Sequence, residues 1–358
     1  MSNKMNPWLD LCRSIAILLV VFSHGRIFLT PVIPQAQTFK FGGFLGVELF
    51  FVLSGFLIGR ILIDKTRNAT TPIGWIAQFW ARRWLRTYPS YILFLIINLL
   101  LLNNIRPDTF PQLIRYITFT QSLLTPHPSF FGEAWSLAIE EIFYFLTPIL
   151  LGVLLKITGN FNKSLGLTLF ILFIIPLSLR FNAVITTNMT FNEIRSTALF
   201  RVDSIMFGVL AAWAYHESMQ LRNILMKSCS IGILLLPLAI YIAAQPDSVM
   251  DGNNFLKIFF FNIANIGCIS LIILGINLPI NKLVIYFSSR IARWSYAAYL
   301  TNLPILFLIH HLFPQPAGLI SHLVIWLTFI LCVFLSAFIV YTFFERQALT
   351  YRDRMFNR

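Results

Sequence analysis

The sequence predicts an all-α integral membrane protein, a bundle of about ten transmembrane helices in a single membrane-embedded domain over residues 1–358. Of the 358 residues, 57% are hydrophobic and 11% are charged, which is typical of a polytopic membrane protein. The apolar runs have the length of helices and are not the short alternating segments of an outer-membrane barrel. No polar stretch has the length and composition of a soluble domain, so we expect no appended soluble domain.

The spans are recognised by their length and low polarity, since a helix needs roughly 20 residues to cross the hydrocarbon core. Several predicted spans are shorter, as is common where helices tilt or break. In chain order the predicted spans are Trp8–Phe28, Phe44–Ile63, Tyr88–Leu102, Ser136–Leu155, Leu165–Leu179, Phe200–His216, Ile231–Ala244, Phe255–Ile276, Ser295–His311 and Leu319–Phe344.

The distribution of positive charge predicts the orientation. With a cytoplasmic N-terminus, about 19 of the 27 Lys and Arg residues fall on the cytoplasmic side, in agreement with the positive-inside rule. Both termini are then cytoplasmic, and we expect a multi-pass protein of the bacterial inner membrane. The net charge of +13 is explained by this topology, so no nucleic-acid partner is expected.

The first span carries three ionisable residues, Asp10, Arg13 and His24. Such groups cost at least ~2.5 kcal/mol each in hydrocarbon, so they usually face a bundle interior or an aqueous cavity. At ~100° per residue, the step from Arg13 to His24 returns to within roughly 20° of the same helix face. One stripe therefore carries a cation toward the cytoplasm and an imidazole toward the outer side. A buried, hydrogen-bonded histidine without a catalytic role is the alternative for His24.

The cytoplasmic loop before the third span contains GWIAQFWARRWLRTYPSY. Its residues follow helical spacing and predict an interfacial helix that brings Arg82, Arg83 and Arg86 close together. Three guanidinium forks at this spacing suit phosphate oxygens. Anchoring of a helix at the inner interface by Trp and Arg is the other interpretation of the same residues, and both remain open.

The second span reads GVELFFVLSGFLIGR and runs toward the cytoplasm. Glu48 is predicted about one turn below the outer surface, near the depth of His24 on the neighbouring helix. A carboxylate beside an imidazole fixes its tautomer and raises its basicity. Ser54, Gly55 and Gly59 form a row of small residues for close helix contact. Packing is favoured over a nucleophilic role for Ser54.

The fourth and sixth spans each begin with charged residues. In EAWSLAIEEIFYFLTP, Glu140 and Tyr144 share a helix face at i, i+4 on the predicted outer side. In RVDSIMFG, Arg201 and Asp203 are expected to pair with each other or with groups from other helices. A structural pair and a functional pair are both open. No metal site is expected, because the adjacent histidines at the end of the ninth span point to different helix faces.

Five segments follow one another along the chain: LDLCRSIAILLVVFSH, GVELFFVLSGFLI, ARRWLRTYPSY, WSLAIEEIFYFLTP and RVDSIMFG. In this order and spacing they resemble the signature segments of the acyltransferase-3 family of integral-membrane O-acyltransferases. The resemblance implies a bundle of roughly ten helices that moves an acyl group, commonly acetyl, from cytosolic acyl-CoA to an extracytoplasmic carbohydrate hydroxyl. It also implies functional roles for the residues that match the family's Arg/His pair, basic loop and Trp-Ser-Leu-x-x-Glu motif, namely Arg13, His24, Arg82, Arg83, Arg86, Trp135 and Glu140.

The chain departs from the family pattern at two positions. Members often carry a histidine where this chain has Asn302, and a proline after the glutamate near the last helix, where this chain has Arg346. The first departure leaves His24 as the histidine expected to act as a base. Some relatives carry an appended extracytoplasmic hydrolase-like domain, which we do not expect here.

These residues together predict an acyl-CoA-dependent O-acyltransferase. The basic loop is expected to bind the phosphates of CoA, with the pantetheine arm passing Arg13. His24, oriented by a carboxylate such as Glu48 or Glu140, would take the proton from the sugar hydroxyl. The remaining expected site residues are Asp10 among the catalytic groups and Trp135, Tyr144, Arg201 and Asp203 among the substrate-binding groups.

Acetyl-CoA is the expected donor substrate, with a succinyl donor as second choice, and no permanently bound cofactor is expected. The expected partners are a carbohydrate or glycolipid acceptor and the lipid bilayer, while the acceptor sugar and the oligomeric state are left open. Two alternatives belong to other classes. A proton-coupled transporter would use the same ionisable groups as a relay, although no internal repeat is found. A subunit of a polysaccharide-export complex would not need the basic loop.

Overall fold

The computed structural model describes residues 6–69, 71–102, 109–314 and 318–356, and every regular element within these ranges is helical. The α-helices are α1 Pro7–Gly25, α2 Lys40–Arg67, α3 Ile76–Leu102, α4 Thr109–Ile117, α5 Ala134–Thr158, α6 Phe161–Thr186, α7 Phe191–Ser196, α8 Val202–Glu217, α9 Met219–Gly232, α10 Leu235–Ala244, α11 Asp247–Asp251, α12 Asn254–Gly275, α13 Lys282–Leu312, α14 Gly318–Val340 and α15 Arg346–Phe356. Short 3₁₀ turns cover Arg26–Phe28, Pro34–Phe39 and Ala198–Phe200, and a π-helical turn covers Tyr341–Glu345.

Seven helices in the described ranges are long and apolar enough to cross a membrane. The pair α9 and α10, bent by 42°, makes an eighth if it forms one span. Each of the ten predicted spans overlaps a helix of the structure, so the all-helical fold is confirmed. The total of ten stays a prediction, because α8 has 16 residues and α13 carries three basic residues in its first half.

Helix α1 begins where the sequence favours a helix start. The Asn6 side chain accepts a hydrogen bond from the Trp8 backbone N–H at 2.8 Å, and Pro7 occupies the first turn, where a missing N–H costs nothing. The helix packs between α2 and α13, and the Ser14 hydroxyl donates to the Ser288 carbonyl at 2.7 Å. The helix that carries Arg13 and His24 is therefore central to the bundle.

The predicted row of small residues on α2 is confirmed. A Cβ added to Gly55 would lie 2.0 Å from the Ile205 carbonyl oxygen, and one added to Gly208 would lie 2.1 Å from the Val52 carbonyl oxygen. Such distances are far below van der Waals contact, so α2 and α8 approach backbone to backbone. This close contact places α2 firmly beside the site described below.

Arg201 and Asp203 form separate ion pairs, so of the two predicted alternatives the pairing with groups from other helices is the one found. Arg201 contacts Glu48 of α2 at 2.6 Å, whereas Arg180 of α6 makes two hydrogen bonds of 3.0 and 2.7 Å to the carboxylate of Asp203. All four side chains are fully buried. Residues two positions apart at a helix start point in different directions, so each finds its partner on another helix.

The predicted interfacial helix and the third span are one continuous helix, α3. The basic residues occupy its first three turns and the apolar span follows without a break. The sequence predicts two elements because the basic residues give way to an apolar run. Arg and Trp are both compatible with a helix, however, and no helix-breaking residue separates the two parts. The only proline in α3 is Pro89, beyond the basic turns.

The main core is formed by side chains of α1, α2, α3, α4, α5, α6, α8, α13 and α14. On α14, Leu327, Leu331 and Leu335 are exposed at intervals of one helical turn. An exposed apolar stripe of this kind is suited to contact with lipid, so α14 lies at the edge of the bundle.

Candidate active site

A cavity of about 140 Å³ opens beside the first turns of α3. We call it the arginine cavity, because Arg13, Arg83 and Arg86 line it together with Glu140. Arg86 and Ile61 also line it and are solvent-exposed, so the cavity reaches the surface beside them. The basic residues predicted to act together are thus brought to one space by α1 and α3.

A hydrogen-bonded chain orders the inner wall of the arginine cavity. The Tyr144 hydroxyl donates to Glu140 at 3.0 Å and is hydrogen-bonded to the Ser54 hydroxyl. The Arg83 guanidinium lies over the Tyr144 ring at 4.1 Å. Ser54, expected to serve packing alone, therefore also supports Tyr144. The i, i+4 relation of Glu140 and Tyr144 is confirmed by their hydrogen bond, and Glu140 lines the arginine cavity. Their position on the outer side stays a prediction.

Glu345 is a further acidic residue near this cavity that the sequence analysis did not select. It is 6% exposed and interacts electrostatically with Arg86 and Arg13. The π-helical turn at Tyr341–Glu345 brings it inward, and such turns are frequent at functional sites. The position before Arg346, where the chain departs from the family pattern, was the signal that would have identified it.

Arg82 and Asp10 stand apart from the residues that line the arginine cavity. The Arg82 guanidinium lies over the Phe356 ring at 5.6 Å, on the side of α15. Asp10 contacts Arg13 at 3.8 Å, one helical turn away. Asp10 therefore acts on the cavity through Arg13. Of the three predicted arginines of α3, Arg83 and Arg86 line the cavity and Arg82 packs beside it.

A second cavity, of about 310 Å³, lies farther along the bundle and is called here the histidine cavity. At 1.5 Å per residue, His24 stands about 16 Å along α1 from Arg13. The lining contains Trp135, with 9% of its surface exposed, and Arg195, whose guanidinium lies over the Trp135 ring at 4.9 Å. The cavity is thus lined by an imidazole, a guanidinium and an indole.

The partner of His24 is Asn302, not Glu48 or Glu140 as expected. The Nδ1 atom of His24 is hydrogen-bonded to the Asn302 Oδ1 atom. The Asn302 amide nitrogen donates to the carbonyl oxygens of Tyr299 and Ala298, at 2.5 and 3.4 Å, which leaves the amide oxygen as the acceptor. His24 must then carry its proton on Nδ1, and its Nε2 atom has a free lone pair.

The expected carboxylates are unable to take the place of Asn302 because each is engaged elsewhere. Glu48 is fully buried and pairs with Arg201, on the side of α2 that faces α8. Glu140 lies seven residues beyond Glu133 on α5, roughly 10 Å toward the arginine cavity. The substrate-binding role expected for Arg201 and Asp203 likewise has no support in their position, since both are fully buried in ion pairs.

Two residues, Val47 and Tyr299, line both cavities. The Tyr299 hydroxyl is hydrogen-bonded to the Ser136 hydroxyl at 2.6 Å. We call Val47 and Tyr299 together the partition. The Trp-Ser-Leu-x-x-Glu motif runs along α5 past it, so that Trp135 lies at the histidine cavity and Glu140 at the arginine cavity.

Two further titratable groups line the histidine cavity at its loop side. Burial raises the pKa of Glu133 to about 8, although its Oε1 atom accepts a hydrogen bond from the Leu303 N–H at 3.2 Å. Burial lowers the pKa of His127 to about 4, and its Nε2 atom is hydrogen-bonded to the Phe131 carbonyl at 3.1 Å. Both groups are therefore neutral near pH 7.

Asn302, Tyr299 and Arg195 were not predicted as site residues, because no helical spacing or charge pattern connects them with His24. Asn302 and Tyr299 lie within an apolar helix, and Arg195 lies on the short helix α7. The tertiary fold alone brings them to His24. An asparagine inside a predicted span, at a position where relatives carry a histidine, was the strongest available signal.

Comparisons with known proteins indicate the family of the chain. A family profile described as an acyltransferase domain matches residues 6–345. The O-acetyltransferase OatA of Staphylococcus aureus (strain NCTC 8325) is 29% identical over 376 aligned residues, covering 96% of this chain and 57% of that protein. The peptidoglycan O-acetyltransferase OatA of Listeria monocytogenes serovar 1/2a is 30% identical over 177 residues, covering 44% of this chain and 26% of that protein. No solved structure shows a significant match.

The chain spans 57% and 26% of the length of these two relatives. The family profile, in contrast, extends over nearly all of the chain and includes α1 through the π-helical turn. The protein is therefore a member of the acyltransferase-3 family.

Proposed function

We propose that the protein is a membrane O-acyltransferase that moves an acetyl group from acetyl-CoA in the arginine cavity to a carbohydrate hydroxyl in the histidine cavity. The observation that carries the proposal is the meeting of the two cavities at Val47 and Tyr299. One cavity offers guanidiniums for an anionic donor, and the other offers an imidazole with a free Nε2 atom. A transfer between two substrates requires both.

The size of the arginine cavity supports entry of the donor's narrow arm alone. Pockets that enclose a drug-sized ligand measure roughly 300–1,000 Å³, and this cavity measures about 140 Å³. The pantetheine arm and its thioester would occupy it. The bulky nucleotide would stay outside, with its phosphates at Arg86, where the cavity reaches the surface.

His24 acts as the general base in this proposal. Its Nε2 atom takes the proton from the acceptor hydroxyl as the oxygen attacks the thioester carbonyl. The carbon–sulfur bond then breaks, the CoA thiolate leaves and is protonated, and the products are the acetyl ester and CoA. A positioned imidazole contributes about 10²–10⁴-fold in rate. Transfer through a transient acetyl-histidine fits the same residues, and acid quenching with labelled acetyl-CoA distinguishes the two routes.

The names of the relatives support a carbohydrate acceptor. One is a peptidoglycan O-acetyltransferase and another an O-acetyltransferase. We infer an acceptor of the cell surface, with acetyl preferred and succinyl as second choice. In the predicted orientation the histidine cavity faces the outer side and the arginine cavity the cytoplasm, so the donor and acceptor approach from opposite ends of α1.

A proton-coupled transporter is the weaker alternative. The relay of this alternative would use His24, Glu140, Arg201 and Asp203. Two of its members, Arg201 and Asp203, are closed in buried ion pairs with Glu48 and Arg180. Tyr299 and Val47 also stand between the two cavities. A transport path would need both features to open.

The proposal is tested by incubating purified protein with radiolabelled acetyl-CoA and peptidoglycan fragments or other surface glycans. His24→Ala should lower kcat by about 10²–10⁴-fold while leaving the detergent elution profile unchanged. His311→Ala, an exposed residue at the end of α13, is the matched control and should retain full activity. A His24→Ala variant with more than about a tenth of the wild-type kcat would contradict general-base catalysis of this size.

A further inference from the structure

A cleft of about 200 Å³ continues from the histidine cavity toward α11. We call it the basic cleft. The two spaces share four lining residues, His24, Gly43, Asn192 and Arg195. The basic cleft adds the charged side chains Arg26, Lys40 and Asp247. A molecule placed with a hydroxyl at His24 therefore has these charges beside it.

The charges of the cleft do not cancel. Lys40 is paired with Asp247 at 2.8 Å, which neutralises both. Arg26 contacts Gln37 at 3.3 Å and the backbone carbonyl of Ser23, and it is in no ion pair among the described residues. Arg26 and Arg195 form no direct ion pair within the described residues, although Asp247 acts on both and Glu48 acts on Arg195 from a longer distance. With three cations and one carboxylate among its lining residues, the basic cleft keeps a net positive charge.

Arg195 is the better placed of the two, because it lines both the basic cleft and the histidine cavity. Its guanidinium lies over the Trp135 ring at 4.9 Å, a contact that orients the guanidinium without occupying its N–H donors. The nearby Asn192 is exposed and adds an amide. A guanidinium with free donors at the wall of a cavity is suited to a bidentate oxyanion.

The carboxyl that lines the histidine cavity itself does not oppose an anion. Glu133 lines the histidine cavity, and burial raises its pKa to about 8, so it is mostly protonated near pH 7. His127, with its pKa lowered to about 4 by burial, is neutral. The guanidinium of Arg195 therefore determines the sign of the charge at this wall.

We propose that the acceptor is an anionic carbohydrate, with a carboxylate or phosphate bound by Arg195 while a neighbouring hydroxyl lies at His24. Arg26 supports the same anion from the far side of the basic cleft. The inference rests on the proposed function for the identity of the reaction, but the charge preference is a property of the cavity and is measured by binding as well as by transfer.

The test compares three oligosaccharides with wild-type protein and two variants. The ligands are a uronic-acid oligosaccharide, its carboxyl-reduced neutral form, and an oligosaccharide that carries glycerol phosphate. The variants are Arg195→Gln and the control Arg115→Gln, which removes an exposed arginine of α4. Dissociation constants are measured by calorimetry, and acetyl transfer is measured separately with labelled acetyl-CoA.

We expect wild-type protein to bind an anionic ligand about 10–100-fold more tightly than the neutral form, as a charge-assisted hydrogen bond allows. Arg195→Gln should abolish that preference and leave the KM for acetyl-CoA unchanged. Arg195→Lys should restore it partly, since Lys keeps the charge but not the fork. Comparing the carboxylate and phosphate ligands identifies which anion is preferred.

Equal binding of the acidic and neutral ligands by wild-type protein would overturn the inference, as would a preference that survives Arg195→Gln. A loss caused equally by Arg115→Gln would reduce the effect to overall charge and would also overturn it. If wild-type protein binds with the expected preference but transfers no acetyl group to any ligand, the proposed function fails and the anion site remains. The two failures are thus distinguishable.

Discussion

The hydrogen bond between His24 and Asn302 leads to a quantitative prediction. Asn302→Leu removes the acceptor for the His24 Nδ1 proton while keeping a side chain of similar volume. The net contribution of a hydrogen bond to stability is about 0.5–1.5 kcal/mol, and a buried donor left unpaired costs about 1–3 kcal/mol. Each 1.4 kcal/mol is tenfold, so kcat should fall by roughly 2-fold to 100-fold, with about 10-fold as the central expectation. This loss is smaller than that of His24→Ala.

The assay is steady-state acetyl transfer, with kcat and the KM for acetyl-CoA measured separately. The KM should not change, because Asn302 is absent from the lining of the arginine cavity. Thr301→Val is the control, since Thr301 is buried on the same helix and bonds only to its own turn. In the double variant with His24→Ala, Asn302→Leu should cost nothing more, because residues that act as one unit are not additive. An additive loss in the double variant would refute the tautomer argument.

Three further predictions follow from the cavities. Replacing Arg83 and Arg86 together by Gln should raise the KM for acetyl-CoA at least about 10-fold, because both guanidiniums line the arginine cavity. Arg82→Gln should leave this KM unchanged. Equal effects of the two changes would support membrane anchoring as the role of all three arginines. Tyr299→Ala should open the partition and raise acceptor-independent hydrolysis of acetyl-CoA, measured as thiol release. Tyr299→Phe keeps the ring and should leave the hydrolysis rate unchanged. An unchanged rate in the Ala variant would show that Tyr299 does not separate the two cavities. Burial raises the pKa of Glu133 from its ordinary 4.5 to about 8, so the folded state holds a proton that the unfolded state has lost, and stability falls as pH rises through this window by on the order of 5 kcal/mol. Glu133→Gln removes that loss, so its Tm should exceed the wild-type Tm increasingly from pH 5 to pH 8, and parallel Tm curves would disprove the assignment.

The helices and their packing seam were predictable because their causes are local. A membrane core imposes a span length, and the glycines at positions 55 and 59 mark close contact wherever their partner lies. The closeness of Arg83 and Arg86 also followed from spacing within one helix, whereas Arg82, grouped with them, lies outside the cavity lining. These features need no knowledge of distant contacts.

The partners of charged groups were not predictable because they depend on the tertiary fold. Arg201 pairs with a residue 153 positions away, and His24 with one 278 positions away. An expected carboxylate near His24 was reasonable by depth along α2, but depth does not say which side of the helix faces the imidazole. The direction of Glu48, toward α8, decided against it.

The partition has a consequence for the energetics of the membrane. Arg13 and His24 are separated by about 16 Å along α1, and the cavities beside them share Val47 and Tyr299, so we expect a large part of the membrane potential to fall over this short distance. In the proposed reaction and the predicted orientation, His24 would release the hydroxyl proton to the outer side, and the thiolate would take its proton from the cytoplasm. Each turnover is then electrogenic, equivalent to one proton moved outward. Against an inside-negative potential this costs about 2.3 kcal/mol per 100 mV. Acetylation in sealed proteoliposomes should therefore slow when such a potential is imposed and recover when it is collapsed, whereas a proton that crossed beside Tyr299 would leave the rate unchanged.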